Sequence, residues 1–182
     1  MMRFKLDITL TEDNYLAFNT FTSLESPHGK KQIRKHQIIF AGTMASILIL
    51  FIFIIGWNVF SAIYATFVVL FTVPYVMLYK KVLKRNLKRH INDLKKRGKL
   101  PFEPVSKLEF YDDKPVETTP STRTEQTYDR MERVCIIRNQ YILLYFSSVE
   151  AYILPAPQIE AQLNKEEFLG FLSQKCDTIE YY

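Results

Sequence analysis

Apolar and polar positions follow three patterns along the chain, and each pattern predicts a different kind of element. At the start, Phe4, Leu6, Ile8 and Leu10 alternate with Lys5, Asp7 and Thr9, the period of two expected of a half-buried strand. Thr11, followed by Glu12 and Asp13, predicts a helix start, because an oxygen acceptor and two acids suit the free N–H groups at a helix N-terminus. That helix is expected to run to about Thr22, with Tyr15, Phe18, Asn19 and Thr22 on one face and Leu16 and Phe21 near it. Ser23 to Gly29, which holds Pro27 and Gly29, predicts a linker.

The second pattern is continuous rather than periodic. From Gln37 to Tyr79, 43 residues contain no Asp, Glu, Lys or Arg. About 20 apolar residues cross a hydrocarbon core roughly 30 Å thick, so this run is too long for one crossing and suits two. Gly56-Trp57-Asn58 interrupts it and predicts the turn of a helical hairpin, Ile38 to Ile55 and Val59 to Leu78. The first segment holds 12 Ile, Leu or Phe residues in 18, which at the usual insertion scale favours the membrane by about 4 to 7 kcal/mol. The second carries Tyr64, Thr66, Thr72 and Pro74 and inserts less strongly alone. A cleaved signal peptide is not expected, since the run is too long and begins too far into the chain.

Charge then fixes the expected orientation. Lys30, Lys31, Arg34 and Lys35 lie in a basic flank at 30–37, and Lys80, Lys81, Lys84, Arg85, Lys88 and Arg89 follow the hairpin. Both termini are therefore expected in the cytoplasm by the positive-inside rule. The formal net charge of +5 is unevenly spread: residues 80–99 carry 10 basic residues against 1 acid, and residues 100–182 carry 8 against 14. The basic character is a membrane-proximal collar, and the acidic remainder would repel nucleic acid.

The third pattern is helical. Leu83, Leu87, Ile91 and Leu94 recur at helical spacing through residues 80–99, predicting a basic amphipathic helix. It reads equally as a clamp for anionic lipid headgroups, through the six Lys and Arg residues from Lys80 to Arg89, and as a topology signal whose apolar stripe packs on the soluble domain. From Val105 short strands return. Leu108 and Phe110 alternate with polar neighbours, Val116 to Thr119 and Arg123 to Tyr128 predict a polar exposed hairpin, and Val134 to Arg138, Tyr141 to Phe146 and Val149 to Leu154 predict a meander, with Asn139-Gln140 as its first turn. Asn164 and Glu167 open a last amphipathic helix with Phe168, Leu169, Phe171, Leu172 and Cys176. A region as small as 103–182 buries a modest share of its surface, so residues 1–29 are expected to complete its core, making one α+β domain interrupted by the hairpin.

The strings EFYDD (Glu109 to Asp113), ETTPSTRTEQTYD (Glu117 to Asp129) and YILLYFSSVEAYILP (Tyr141 to Pro155), with EEFLGFLSQK (Glu166 to Lys175), carry a resemblance to the YcxB-like family of bacterial membrane proteins. What the resemblance implies is a multi-pass protein of a bacterial cell membrane, whose cytoplasmic part is a pleckstrin-homology-like bent antiparallel sheet closed by its C-terminal helix. It implies no activity and no site residue.

Residues with chemical potential are few or dispersed. His28, His36 and His90 lie among Lys and Arg, where a bound cation is disfavoured, so no metal site is expected. Cys135 and Cys176 lack Cys-x-x-Cys spacing and read as small buried groups. Gly occurs at five positions without a phosphate-cradling pattern, carboxylates read as scattered on polar faces, and the hairpin holds no acid or base for proton coupling. Thr118, Thr119, Ser121, Thr122, Arg123, Thr124 and Thr127 form either an exposed structural hairpin or a recognition or phosphorylation site. The expectation is a membrane-anchored cytoplasmic interaction or scaffold module without catalysis or cofactor. Its partners would be the bilayer, anionic lipid, an unnamed protein and, in one variant, a second copy. The alternative is a homo-oligomeric channel or an accessory subunit of a transporter.

Overall fold

The N-terminal strand β1, Met2–Thr9, lies antiparallel against β2, Val105–Tyr111, with Leu6 opposite Leu108 and Ile8 opposite Ser106. This pairing was read from a computed structural model that describes residues 1–182. β2 continues to β3, Pro115–Thr118, and β3 to β4, Arg123–Glu125, completing a four-stranded antiparallel sheet in the order β1-β2-β3-β4. A second sheet has the order β7-β6-β5-β8, from β5 (Arg133–Ile137), β6 (Tyr141–Tyr145), β7 (Ala151–Pro155) and β8 (Ile179–Tyr181). Its first three strands are antiparallel, and β8 joins β5 in parallel.

Alternation sends one set of side chains from each sheet into a shared core. Leu6, Ile8, Leu108 and Phe110 come from the first sheet, and Val134, Ile136, Ile142, Leu144 and Leu154 from the second. Full burial of each such side chain contributes about 1.5 to 3 kcal/mol. Helix α5, Lys165–Lys175, closes the core with Phe168 and Leu172; Phe168 meets Phe4 and Phe110 edge-on at ring separations of 5.4 and 5.0 Å. It starts as expected, with the Asn164 side chain accepting from the Glu167 N–H at 3.0 Å.

The second sheet is buried on its other face too, which is why β5 and β6 are almost continuously apolar. Cys135, Leu143 and Tyr145 are fully buried there, and helix α1, Glu12–Thr20, covers this face: the Phe18 ring lies 6.2 Å from that of Tyr145, and Asn14 donates to the Tyr141 hydroxyl at 3.3 Å. The Arg133 guanidinium sits 4.4 Å from the Tyr145 ring centroid. The β5–β6 turn is centred on Arg138-Asn139, at φ 47° and 54°, rather than on the expected Asn139-Gln140. Arg138 is held in that conformation because its N–H donates to the Tyr182 carbonyl at 2.7 Å, a partner from the far end of the chain.

Between β7 and α5 lies a short helix, α4, Ala156–Glu160, which starts after Pro155 and carries Pro157 in its first turn, where a missing N–H costs nothing. Gln158 and Gln162 extend their amides along the outer edge of β1. Each makes two backbone hydrogen bonds of 2.7 or 2.8 Å, Gln158 to the N–H and C=O of Thr9 and Gln162 to those of Asp7. Two side chains thus satisfy the ladder positions that a further strand would otherwise occupy.

Chain contacts divide the protein into Met1–Asn19 with Ile91–Tyr182, described above, and Thr20–His90. The latter contains a π-helical turn, Phe21–Glu25, helix α2, Pro27–Ile55, and most of helix α3, Val59–Lys96. The expected linker Ser23 to Gly29 and basic flank 30–37 are therefore helical. Ser26 explains the difference: its hydroxyl accepts from the Gly29 N–H at 3.0 Å and donates to the Thr22 carbonyl at 2.6 Å, ending one helical segment and starting the next, with Pro27 at the first turn. The expected amphipathic helix of residues 80–99 is the continuation of α3, which stops before Gly98 at φ 69°.

Helices α2 and α3 run antiparallel, joined at the expected turn. Gly56 at φ 79° ends α2, and the Asn58 side chain accepts from the N–H groups of Phe60 and Ser61 at 2.9 and 3.1 Å. Phe51 packs on Tyr64 and Phe40 on Tyr75, at 4.5 and 4.1 Å between centroids; His36 bonds to the Tyr75 hydroxyl at 3.0 Å, and Gln37 donates to the Val76 carbonyl at 2.9 Å. The two helices, of 29 and 38 residues, are long and apolar enough to cross a membrane. Their most apolar windows have mean hydropathies of 2.8 and 1.9 and are 0% and 6% buried by the rest of the chain.

Gly29 leaves no room for a side chain: a Cβ there would lie 2.4 Å from the Thr22 carbonyl oxygen and 2.6 Å from the Ser23 backbone. Gly29→Ala gains roughly 1 kcal/mol of helix propensity and must displace backbone, at a cost of about 1 to 3 kcal/mol or more. Thermal unfolding of the purified Gly29→Ala variant is expected at a lower temperature than wild type, and an increase would show that the Ser26 turn yields freely.

Candidate functional site

The register of the first sheet places one acid on the wrong face for a sheet core. Leu6 pairs with Leu108 and Leu108 with Glu117, so Glu117 projects on the same side as the buried leucines. Ser106, opposite Ile8, shares that side and is 4% exposed. Beyond them the two sheets part and leave a cleft of about 320 Å³, bounded by β2 and β3 on one side and by Ala151, Tyr152 and Ile153 of β7 on the other. Leu10, Tyr15, Phe18 and Phe102 form an apolar wall, in which the Tyr15 and Phe102 rings stack at 4.9 Å.

Three carboxylates line this cleft: Glu103, Glu117 and Glu150. Burial pushes the Glu117 carboxyl above its ordinary range, the Ser106 hydroxyl partly offsets that effect, and the nearby charge of Glu103 adds to it. Glu103 accepts from the Ser121 hydroxyl at 2.7 Å, and none of the three has a cationic partner within salt-bridge distance. Tyr152 is 9% exposed, and its buried hydroxyl has no hydrogen-bond partner. Burial pushes its pKa up and so keeps the phenol protonated, and the nearby charges of Glu117 and Glu150 push it further in the same direction. The result is an acidic opening with aromatic walls and one unsatisfied hydroxyl, suited to a cationic group and lacking an activated nucleophile.

β7 contributes its backbone as well. Phe146 donates to the Glu150 carbonyl at 3.0 Å and Ala156 to that of Gln140 at 2.8 Å, which fixes the alternation. The backbone groups of Ala151 and Ile153 therefore point away from β6, on the free edge beside the cleft.

The residues singled out by sequence lie elsewhere. Lys80, Lys81, Lys84, Arg85, Lys88 and Arg89 are all exposed on α3, and none forms an ion pair; Leu83, Leu87, Ile91 and Leu94 are the half-buried or buried stripe of that helix. In the Thr-rich hairpin, Thr119 ties the turn by accepting from the Ser121 and Thr122 N–H groups at 3.3 and 3.0 Å, and Thr119 and Thr122 reach the cleft. No group of three or more His, Cys, Asp or Glu residues is arranged to hold a metal ion. Cys135 and Cys176 are buried, and burial, with the Glu180 carboxylate second, pushes the Cys135 thiol up to about 12. A second hollow lies between β1 and α5, where Asp112 accepts from Arg3 at 2.6 Å and from the N-terminal ammonium at 2.9 Å. Those bonds hold the Asp112 carboxyl down to about 2, so its charge is already matched.

Carboxylates read as scattered are thus gathered: Glu103, Glu117 and Glu150 come from three separate segments, with Tyr152 beside Glu150. The available signal was the pairing of β1 through β3, which turns Glu117 inward once the register is known. No family model matches this chain, and no curated protein or solved structure matches it significantly.

Ionised Glu117 destabilises the fold, because its carboxyl is raised on folding. The penalty holds above the folded value and fades as pH falls through it toward the ordinary carboxylate range. Glu117→Gln is therefore expected to melt at a higher temperature than wild type at neutral pH, with the gap narrowing by about pH 4. Melting curves across pH check this; a variant less stable at neutral pH would show that the Glu117 charge is compensated.

Proposed function

We propose that this chain is a membrane-anchored interaction module without catalysis of its own, held by the α2–α3 hairpin with both termini in the cytoplasm. The observation that carries the reading is the exposure of two long apolar helices whose flanks both lead into one folded unit. In water, so much contiguous apolar surface would be a severe liability, whereas a bilayer buries it. Trp57 at the exposed turn suits a headgroup region, and the basic runs at 30–35 and 80–89 suit the opposite, cytoplasmic side.

The strand order supports a pleckstrin-homology-like reading of the cytoplasmic unit, with β1 to β4 in one sheet, β5 to β7 in the next and α5 closing them. The resemblance to the YcxB-like family agrees, and it is what points to a bacterial cell membrane. A pore has less support. Of the small polar residues Ser46, Ser61, Thr66 and Thr72, Thr66 spends its hydroxyl on the Ala62 carbonyl of its own helix and Ser61 is engaged with Asn58 at the turn. The Thr72 hydroxyl is buried without a partner.

Cysteine introduced at Trp57 is expected to react with an impermeant reagent applied outside intact cells, and cysteine at Ser173 only after permeabilisation; the reverse pattern would overturn the topology. Crosslinking of the full-length protein in its membrane is expected to recover a specific protein neighbour that a form lacking residues 103–182 does not. Self-crosslinked species alone would favour a homo-oligomer instead. The isolated segment 80–99 is expected to bind anionic vesicles less tightly as salt rises, each basic residue contributing about 1 kcal/mol near the surface. Equal binding to neutral vesicles would remove the lipid clamp.

A further inference from the structure

We infer that the cleft beside β7 binds an extended peptide segment of a partner protein, which pairs with the free β7 edge and places a lysine or arginine side chain among Glu103, Glu117 and Glu150. This rests on the module reading and names the chemistry of what the module holds.

Three independent features converge on that occupant. The first is charge: the three carboxylates line one opening, and none is neutralised by a cation from the chain itself. An inward acid on a sheet core is costly to keep, and a cation entering the cleft offsets that cost. The second is the Tyr152 hydroxyl, more than nine-tenths shielded and without a partner at the same wall. A buried hydroxyl left unpaired calls for a polar group from outside the chain.

The third feature separates a peptide from a small amine. Ala151 and Ile153 turn their backbone N–H and C=O groups away from β6, and no other strand covers them. The amides of Gln158 and Gln162 cap the β1 edge, whereas β4, β7 and β8 end their sheets without a further strand, and of these β7 is the one that borders the cleft. The β7 edge is left open at the position where the acids and Tyr152 stand. An added strand would use the backbone groups for affinity and the cleft for selection of one side chain. Tyr15, Phe18 and Phe102 supply apolar contact for the stem of that side chain.

The test uses the full-length protein in nanodiscs as target for a phage library of randomised linear heptapeptides. The expected result is several-fold enrichment of lysine or arginine at one position. A synthetic peptide of the enriched sequence should slow amide exchange at Ala151 and Ile153 and bind more weakly as salt rises. It should lose at least about tenfold in affinity for the double variant Glu117→Gln, Glu150→Gln. The neutral amides keep the shape of the acids. Ala151→Pro is a second variant that removes the outward N–H, a substitution tolerated at sheet edges, and it should weaken binding with the acids intact.

Selection without basic enrichment, or unchanged exchange at Ala151 and Ile153, would overturn the inference. So would equal binding of N-acetyl-lysine-methylamide, which would make the cleft a small-amine site. A membrane neighbour still crosslinked by the double variant and by Ala151→Pro would leave the module standing and remove the cleft from it. The absence of any crosslinked neighbour would remove the module reading itself.

Discussion

The pairing of β1 with β2 is the constraint on which the sheet-bearing unit depends. It joins Met2–Thr9 to Val105–Tyr111 through seven facing pairs, across all of residues 10–104. Closing a loop of that length costs roughly 4 kcal/mol in chain entropy if the loop is flexible, since the cost grows only with the logarithm of length. Burial of Leu6 and Ile8 alone returns about 1.5 to 3 kcal/mol each, so the insertion is affordable before a single ladder hydrogen bond is counted. A chain that leaves one folded unit and re-enters it also restricts what lies between. Any membrane passage by the inserted segment must occur an even number of times.

The chain separates its charges by use. The six basic residues from Lys80 to Arg89 stand along α3, exposed and unpaired, where a solvated ammonium costs nothing to maintain, and only further on does Lys95 pair with Glu12 at 2.7 Å. Negative residues stand in and around the sheets, and one of them, Glu117, occupies a rung shared with Leu6 and Leu108. An apolar residue on that rung would extend the core and close the space between the sheets. Retaining an acid there gives up stability and keeps the cleft open, the exchange expected where a binding surface is cut into a core.

Legibility in the sequence followed the length scale of the force involved. The apolar run of α2 and α3, the turn at Gly56-Trp57-Asn58 and the Asn164 start of α5 are local, and each is set by residues within one or two helical turns. β5 and β6 were legible because burial on both faces demands nearly unbroken apolar strings. The turn of Ser26 was not, because Pro27 and Gly29 look like breakers until the close approach of the Ser23 backbone is known. β8 is three residues long and is stabilised by a parallel partner more than forty positions away. The cleft was hidden for the same reason: Glu103, Glu117 and the Glu150–Tyr152 segment become neighbours only in the folded chain, and an acid in a Thr-rich stretch carries no local mark of facing inward.

The interrupted β1–β2 ladder also sets a clock. Ribosomes add roughly 5 to 20 residues per second, so β1 must wait on the order of 5 to 20 s for residues 10–104 to be made before β2 exists. The Gln158 and Gln162 amides that cap its outer edge arrive later still. Through that interval β1 is a nascent strand with both edges bare. Lys5 and Asp7, set between Phe4, Leu6 and Ile8, give it the alternating charge that discourages pairing with a neighbouring copy on the same messenger. The order of synthesis therefore asks β1, made before β2 to β8, to remain unpaired longest, and its polar face is what lets it wait.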